Sequence, residues 1–441
     1  MDAPLRSVYR QRLKISPAAL NVGRILSGPA RLACRQHATI RAPPGDGLSG
    51  VPVVHSWDTG PTTFLYSQWS PEADVWYDRL PDSGLGNLTS SCYHSPGLSM
   101  LFPSTCCIKG GSICLQTVGE GEINSAASLM ALVLSPRFDL SKTYFLLAGI
   151  AGVNPKHGTL GTVALAHYSV QVALQYEIDP RSLPSSFPTG YISYGRNQPH
   201  EYPFITYGTE VFELNARLQD EAYDLASKAE LSDADGPRQY RSLYVRMGES
   251  YMAASRPPSV VKCDTATSDV YYSGSRLSEA FENTTSVWTN GTGVYCMSAQ
   301  EDNALLEVLV RAAIEKLVDF ERVVVLRSGS NFDRAPLNRS DLEHLTDSQQ
   351  NGFSIAIDNI YNAGVKIVEG IVENWDCKFK DGVKADNYVG DIFGSLGGEP
   401  DFGFGSLTRG ERVAPDGKDT TLAMKEMDRR KVLTQKSLRK I

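Results

Sequence analysis

Apolar residues fall along this chain in short blocks that alternate with stretches of helical spacing. Thr63 to Gln68 is a strand-like block, and Ser70-Pro71-Glu72 behind it starts a helix with proline in its first turn. Ser112 to Val118 repeats the pattern: the glycine turn Gly119-Glu-Gly-Glu122 hands over to a helix whose apolar positions Ile123, Ala126, Ala127, Met130 and Leu134 are expected to face the core. Thr143 to Leu147 leads into Ala148-Gly-Ile-Ala-Gly-Val-Asn-Pro155, and Thr162 to Gln171 predicts one further strand. Leu214, Leu218, Ala222, Leu225 and Ala229 share a helix face inside a Pro-, Tyr- and Ser-rich stretch, 181–260, that reads as an insertion. Beyond it the pattern predicts a strand at Ser259 to Cys263, a helix from Asn303 to Leu317, a strand at Arg322 to Leu326 and a helix between Phe353 and Trp375. Strands alternating with helices imply a mainly parallel sheet covered on both faces. The expected organisation is a leader at 1–60, a single domain over 61–417 and a charged tail at 418–441.

Composition narrows the classes. With 441 residues, 41% hydrophobic and 21% charged, the chain can bury a large core. A net charge of −7 offers nothing to a nucleic-acid backbone or an anionic membrane surface. A membrane span needs about 18 apolar residues, and Ala126 to Leu134 and Tyr144 to Val153 fall well short. The eight cysteines show no CxxC pair and no Cys/His ligand spacing, so neither zinc nor another metal is called for. Cys107 and Cys114 bracket a Lys-Gly-Gly turn, and sequons at Asn87, Asn283, Asn290 and Asn338 suit a secreted or cell-surface protein with disulfides. Arg6, Arg10, Arg12, Arg24, Arg31, Arg35 and Arg41, with Asp2 as their sole acidic company, give the leader the composition of an organelle-targeting segment instead. The compartment stays open between the two.

Five ordered phrases identify a family. Thr117-Val-Gly-Glu-Gly-Glu-Ile-Asn124, the 148–155 segment, Ser268-Asp-Val-Tyr-Tyr-Ser-Gly274, Met297-Ser-Ala-Gln-Glu-Asp-Asn303 and Arg327-Ser-Gly-Ser-Asn-Phe-Asp333 resemble the fungal and bacterial purine nucleoside permease family, from about residue 64 to about 405. In the same order they resemble the nucleoside phosphorylase and nucleosidase superfamily. The resemblance implies a three-layer α/β/α sandwich with a mixed, partly barrel-like central sheet, a purine nucleoside substrate bound at the strand ends, a homo-oligomer and no cofactor.

It also implies roles. Glu72 stands where a related glutamate deprotonates the attacking water, although a helix N-terminus also attracts a glutamate for its dipole. Glu301, with Gln300 and Asn303 beside it, matches a carboxylate that accepts hydrogen bonds from the ribose hydroxyls. Asn331, next to Ser330, matches the position that assists the departing base; an amide donates to the purine without a change of ionisation and suits inosine or guanosine, whereas a loop Asn capping a turn needs no ligand. Tyr271 corresponds to the aromatic that stacks on the base, or to a core aromatic. Ile150, Ala151 and Gly152 would bring backbone close to base and ribose. Gly119, Gly121 and Asn124 form the loop beside the nucleophile. That loop carries two acids and no arginine, which favours water over phosphate. The expected activity is hydrolysis of the N-glycosidic bond of purine nucleosides (inosine, guanosine, adenosine) to free base and ribose. Phosphate as co-substrate, and a non-catalytic nucleoside-binding role in uptake, are the alternatives.

Overall fold

In the computed structural model, residues 60–400, Phe402 and the paired strands Leu407–Thr408 and Glu411–Arg412 are described. The expected leader up to residue 59 and the tail at 418–441 lie outside the described residues. In chain order, β1 (Thr63–Ser67) enters α1 (Ser70–Arg79), and β2 (Ser91–His94), β3 (Ser104–Cys107) and β4 (Ile113–Thr117) precede α2 (Glu122–Val133) and β5 (Tyr144–Val153). Then follow β6 (Val163–Leu165), β7 (Tyr168–Gln171), the hairpin β8 (Gln175–Glu177) with β9 (Tyr191–Ser193), β10 (Val211–Glu213), α3 (Ala216–Ala226) and α4 (Asp235–Arg241). The remainder comprises β11 (Val260–Lys262), β12 (Asp264–Thr267), α5 (Ser275–Trp288), β13 (Tyr295–Ala299), α6 (Asp302–Ile314), β14 (Val323–Phe332), α7 (Asp341–Thr346), α8 (Phe353–Glu373) and β15 (Gly390–Asp391).

The central strands are buried on both faces because alternate residues serve two cores. Leu65, Leu146, Ala148 and Leu326 join Trp76 of α1 and the apolar stripe of α8. Phe64, Tyr66, Phe145, Leu147 and Val325 join Leu129 and Leu132 of α2 and Leu305 and Leu309 of α6. The sheet is therefore the middle layer of the expected sandwich. α8 approaches α1 closely because Gly364 stands against Trp76; a Cβ there would lie 2.9 Å from the indole ring.

The sheet is not mainly parallel. β4, β1, β5 and β14 run parallel to one another in that order, but β3 joins β4, β13 joins β5 and β6 joins β14 antiparallel. The single strand expected over 162–171 is two, broken at Ala166-His167 where the chain changes partners: β6 pairs with β14 and β7 with β12. That change closes a ring β14-β5-β13-β12-β7/β6, the barrel-like part of the sheet. The strand expected at Arg322 to Leu326 runs on to Phe332, because its second half continues beside β5.

The face of α2 also differs from expectation. Ile123 and Leu134 are exposed, at 82% and 64%, and Ser125, Ser128, Leu129, Leu132 and Val133 point inward. The two serines can be buried because their hydroxyls donate to the glycine turn, Ser125 Oγ to Gly119 O at 3.3 Å and Ser128 Oγ to Val118 O at 2.7 Å. The 181–260 stretch is stitched into the layers: β10 pairs with β7, and α3 buries Leu218, Ala222 and Ala226. Disulfides join Cys92 to Cys106 across β2 and β3, Cys107 to Cys114 across β3 and β4, and Cys263 to Cys296.

Candidate active site

One long strand creates the crevice. β5 has β14 along the whole of one edge, but its other edge is shared. β1 pairs with it as far as Tyr66↔Leu147, and β13 takes over only at Ser298↔Gly152. Between those points β1 turns away into α1 while β13 leaves in the opposite direction, so residues 148–151 have no strand on that side. Sheets bind ligands where neighbouring connections diverge, and a cavity of about 420 Å³ opens here. Gln68, Trp69 and Glu72 line it from the β1–α1 junction, Ile150, Ala151 and Gly152 from β5, and Gln300 and Glu301 from the end of β13.

Glu72 fills the gap in the ladder. Its carboxyl accepts from Ile150 N–H at 2.7 Å, a donor that an uninterrupted strand would have used, and from Gln68 N–H at 2.8 Å. The side chain is buried, and burial raises its pKa to about 7 against the pull of Arg327 and the two N–H groups. A carboxyl that ionises near neutrality with two oxygens fixed in place is fit to remove a proton from water. Glycine at 149 makes the arrangement feasible: a Cβ there would lie 2.1 Å from Gln68 Oε1 and 2.3 Å from Arg327 Nη1.

Glu301 stands at the N-terminus of α6, its Oε1 accepting from Gly121 N–H at 3.1 Å and its Oε2 facing Arg327 Nη2 at 3.4 Å. Burial raises its pKa, again against Arg327. Arg327 itself lies under the cavity floor. Burial disfavours its charge, but Asp302 and Glu301 outweigh that and keep it a cation. Its fork is committed to Asp302, Glu301, Gln68 and the carbonyl of Ile150. The sequence reading gave Arg327 no role, although an arginine within Val-Val-Val-Leu-Arg is a charge that must be buried with a partner.

At the anion-binding end of α2 two N–H groups are taken by the protein's own carboxylates. Gly121 N–H serves Glu301, and Glu122 N–H donates to Asp269 Oδ1 at 2.8 Å. Glu122 is pushed up to about 7 by burial and by Asp269, and Glu120 lines the cavity. Such a rim disfavours an oxyanion.

The structure brings Glu72, Glu301, Gln300, Tyr271, Ile150, Ala151, Gly152, Ser330 and Asn331 to one cavity. Ser330 Oγ donates to Ala151 O at 3.2 Å and stands 2.9 Å from Asn331 Oδ1. Tyr271, 58% exposed, stands at the mouth. Gly152 is required by Ser298, whose Oγ would lie 2.4 Å from a Cβ. Four expected residues lie outside the cavity wall. Asn303 is turned into the protein, accepting from Ser169 Oγ at 2.7 Å and donating to Thr209 O at 2.7 Å, so its amide is spent on joining α6 to β7 and to the segment that leads into β10. Asn124 is exposed and bonds back to Glu120 O, and Gly119 and Gly121 shape the turn through positive φ. Gln68, Trp69, Glu120 and Phe353 line the cavity unforeseen; Trp69 and Phe353 meet edge to face at 5.8 Å. Among the described residues no cluster of metal ligands occurs, and no helix is long and apolar enough to cross a membrane.

The family model described as purine nucleoside permease matches residues 60–384. A purine nucleoside permease of Candida albicans is 44% identical over 349 residues, covering 78% of this chain and 83% of that one. A probable purine nucleoside permease of Schizosaccharomyces pombe is 40% identical over 323 residues, covering 71% and 90%. Among solved structures, a 5′-methylthioadenosine/S-adenosylhomocysteine nucleosidase of Neisseria meningitidis is 13% identical with a TM-score of 0.41, covering 70% of this chain and 98% of that one. The futalosine hydrolase of Helicobacter pylori is 14% identical with a TM-score of 0.42, covering 71% and 98%.

Proposed function

The chain belongs to the purine nucleoside permease family, and from that membership and the chemistry of its cavity we propose that it hydrolyses the N-glycosidic bond of purine nucleosides to free base and ribose. The observation that carries the reading is Glu72, a buried carboxyl on the cavity wall that ionises near neutrality. In this reaction water gives a proton to Glu72 as its oxygen bonds to C1′ of the ribose. The C1′–N9 bond breaks with its electron pair going to the purine, which takes up a proton from solvent, and Glu72 returns the water's proton to solvent. The sugar passes through an oxocarbenium-like state. Glu301 grips the ribose hydroxyls with lone pairs that Gly121 and Arg327 leave unused, Asn331 donates to the departing base, and Tyr271 covers it. Water is favoured over phosphate because two N–H groups at the start of α2 already serve Glu301 and Asp269 and Glu120 adds a further acid to the cavity wall.

A homo-oligomer belongs to the same reading, supported by exposed apolar side chains around the start of α2: Met100, Leu101, Ile123 and Val270. A second reading, nucleoside binding for uptake without turnover, is favoured by the names of the relatives.

The test is to incubate the purified protein with inosine, guanosine and adenosine, with and without phosphate, and to separate the products. Free ribose in both conditions is expected. Ribose 1-phosphate formed only with phosphate would replace the hydrolase by a phosphorylase, and tight binding with no product would favour the uptake reading. Sedimentation of the same sample reads the assembly, and a monomer would remove the oligomer.

A further inference from the structure

Gln68 sits at the junction of β1 and α1, 2% exposed, with its side chain on the cavity wall. Its Oε1 lies 3.3 Å from Arg327 Nη1. A guanidinium has donors and no acceptor, so the amide oxygen must be the atom on that side. The orientation leaves Nε2 as a buried donor without a hydrogen-bond partner in the protein. An unmade hydrogen bond of this kind is costly, and native structures keep one mainly where function makes use of it.

The same residue is tied to the general base. Gln68 N–H holds Glu72 Oε2, and the two side chains converge beside Gly149, whose Cβ position would lie 2.1 Å from Gln68 Oε1 and 3.0 Å from Glu72 Oε1. The Gln68 amide and the Glu72 carboxyl therefore share one stretch of cavity wall, and an oxygen bound to Glu72 would lie beside that amide. Arg327 does not compete for it, because its fork is directed at Asp302, Glu301, Gln68 and Ile150.

We propose that Gln68 is a catalytic residue whose Nε2 donates a hydrogen bond to the water that Glu72 deprotonates. The inference rests on the hydrolase reading. A water that gives one hydrogen to Glu72 and accepts one from Gln68 keeps a lone pair directed at C1′. The proton goes to Glu72, the new O–C1′ bond replaces C1′–N9, and Gln68 keeps its own hydrogens throughout.

Two variants separate the donor from the Arg327 contact. Gln68→Met removes both; Gln68→Glu, assayed at alkaline pH where the new carboxyl is ionised, keeps an acceptor for Arg327 and removes the donor. Both are expected to lower kcat for nucleoside hydrolysis by about 10²-fold, with KM held within about threefold of wild type. In water–methanol mixtures both should raise the ratio of methyl riboside to ribose, because the attacking water is no longer held. Unchanged kcat, a raised KM with kcat retained, an unchanged product ratio, or a loss confined to Gln68→Met would overturn the proposal. If wild type releases no base, the hydrolase reading fails and this inference falls with it; if wild type hydrolyses and both variants keep pace, only this inference fails.

Discussion

Glu72 condenses the chemistry of the site into one side chain. It lies in the first turn of α1, where a carboxylate is commonplace; one oxygen accepts from Gln68 N–H just ahead of that helix, but the other reaches across to Ile150 N–H of β5. With its pKa raised to about 7, the carboxyl is partly protonated at neutral pH, and as the base of the proposed reaction it must ionise to act. We expect kcat/KM to climb about tenfold per pH unit below neutrality and to level above about pH 7. Glu72→Gln should keep nucleoside binding, lower the rate by about 10³-fold and abolish that pH limb. A variant as fast as wild type, or one that keeps the limb, would remove Glu72 from the mechanism.

At the scale of elements, β5 decides where the site can be. Its partner exchange between residues 147 and 152 is a long-range property, set by where β1 and β13 end. Gly149→Ala tests it, because the added methyl would strike Gln68 and Arg327 at the point where the ladder opens. We expect about 1–3 kcal/mol of lost stability and a fall in activity of at least about 10²-fold. Full activity in a normally melting variant would show that the crevice tolerates a side chain there. The same scale explains what the sequence could yield. Thr63–Ser67, α3 and α8 were legible because apolar spacing alone places them. The inward face of α2 was not, since Ser125 and Ser128 are buried through bonds to a turn that spacing does not see, and Ile123 is left outside. As cavity residues, Glu301 and Asn331 were legible through ordered motifs and Glu72 through its place after the first strand. Asn303 was misassigned because proximity in sequence to Glu301 says nothing of the direction its side chain takes from the helix. Gln68 and Arg327 went unseen because their roles are defined by contacts across 259 positions.

For the whole molecule, the buried acids couple function to stability. A group whose folded pKa is raised binds its proton more tightly when folded. Its contribution is therefore complete below the unfolded value, 4.5 for glutamate, and is lost as pH rises through about 7. For Glu72 the interval is about 2.5 units, which corresponds to about 3 kcal/mol at roughly 1.4 kcal/mol per unit. Glu122 adds a loss of the same sign, whereas His157 and His344, lowered mainly by burial, change stability in the opposite sense over an overlapping range. The pH course of wild type alone would mix these contributions. Comparing wild type with Glu72→Gln isolates the first together with its coupling to Glu301, since glutamine carries no proton to lose. The variant should melt close to wild type near pH 4.5 and become the more stable protein as pH passes 7, by up to about 3 kcal/mol. Denaturant or thermal melts of the pair across that range measure the difference directly. A constant difference would mean that Glu72 ionises in the folded protein as it does in the unfolded chain, and the carboxyl would then lose both its stability cost and its fitness as a base near neutrality.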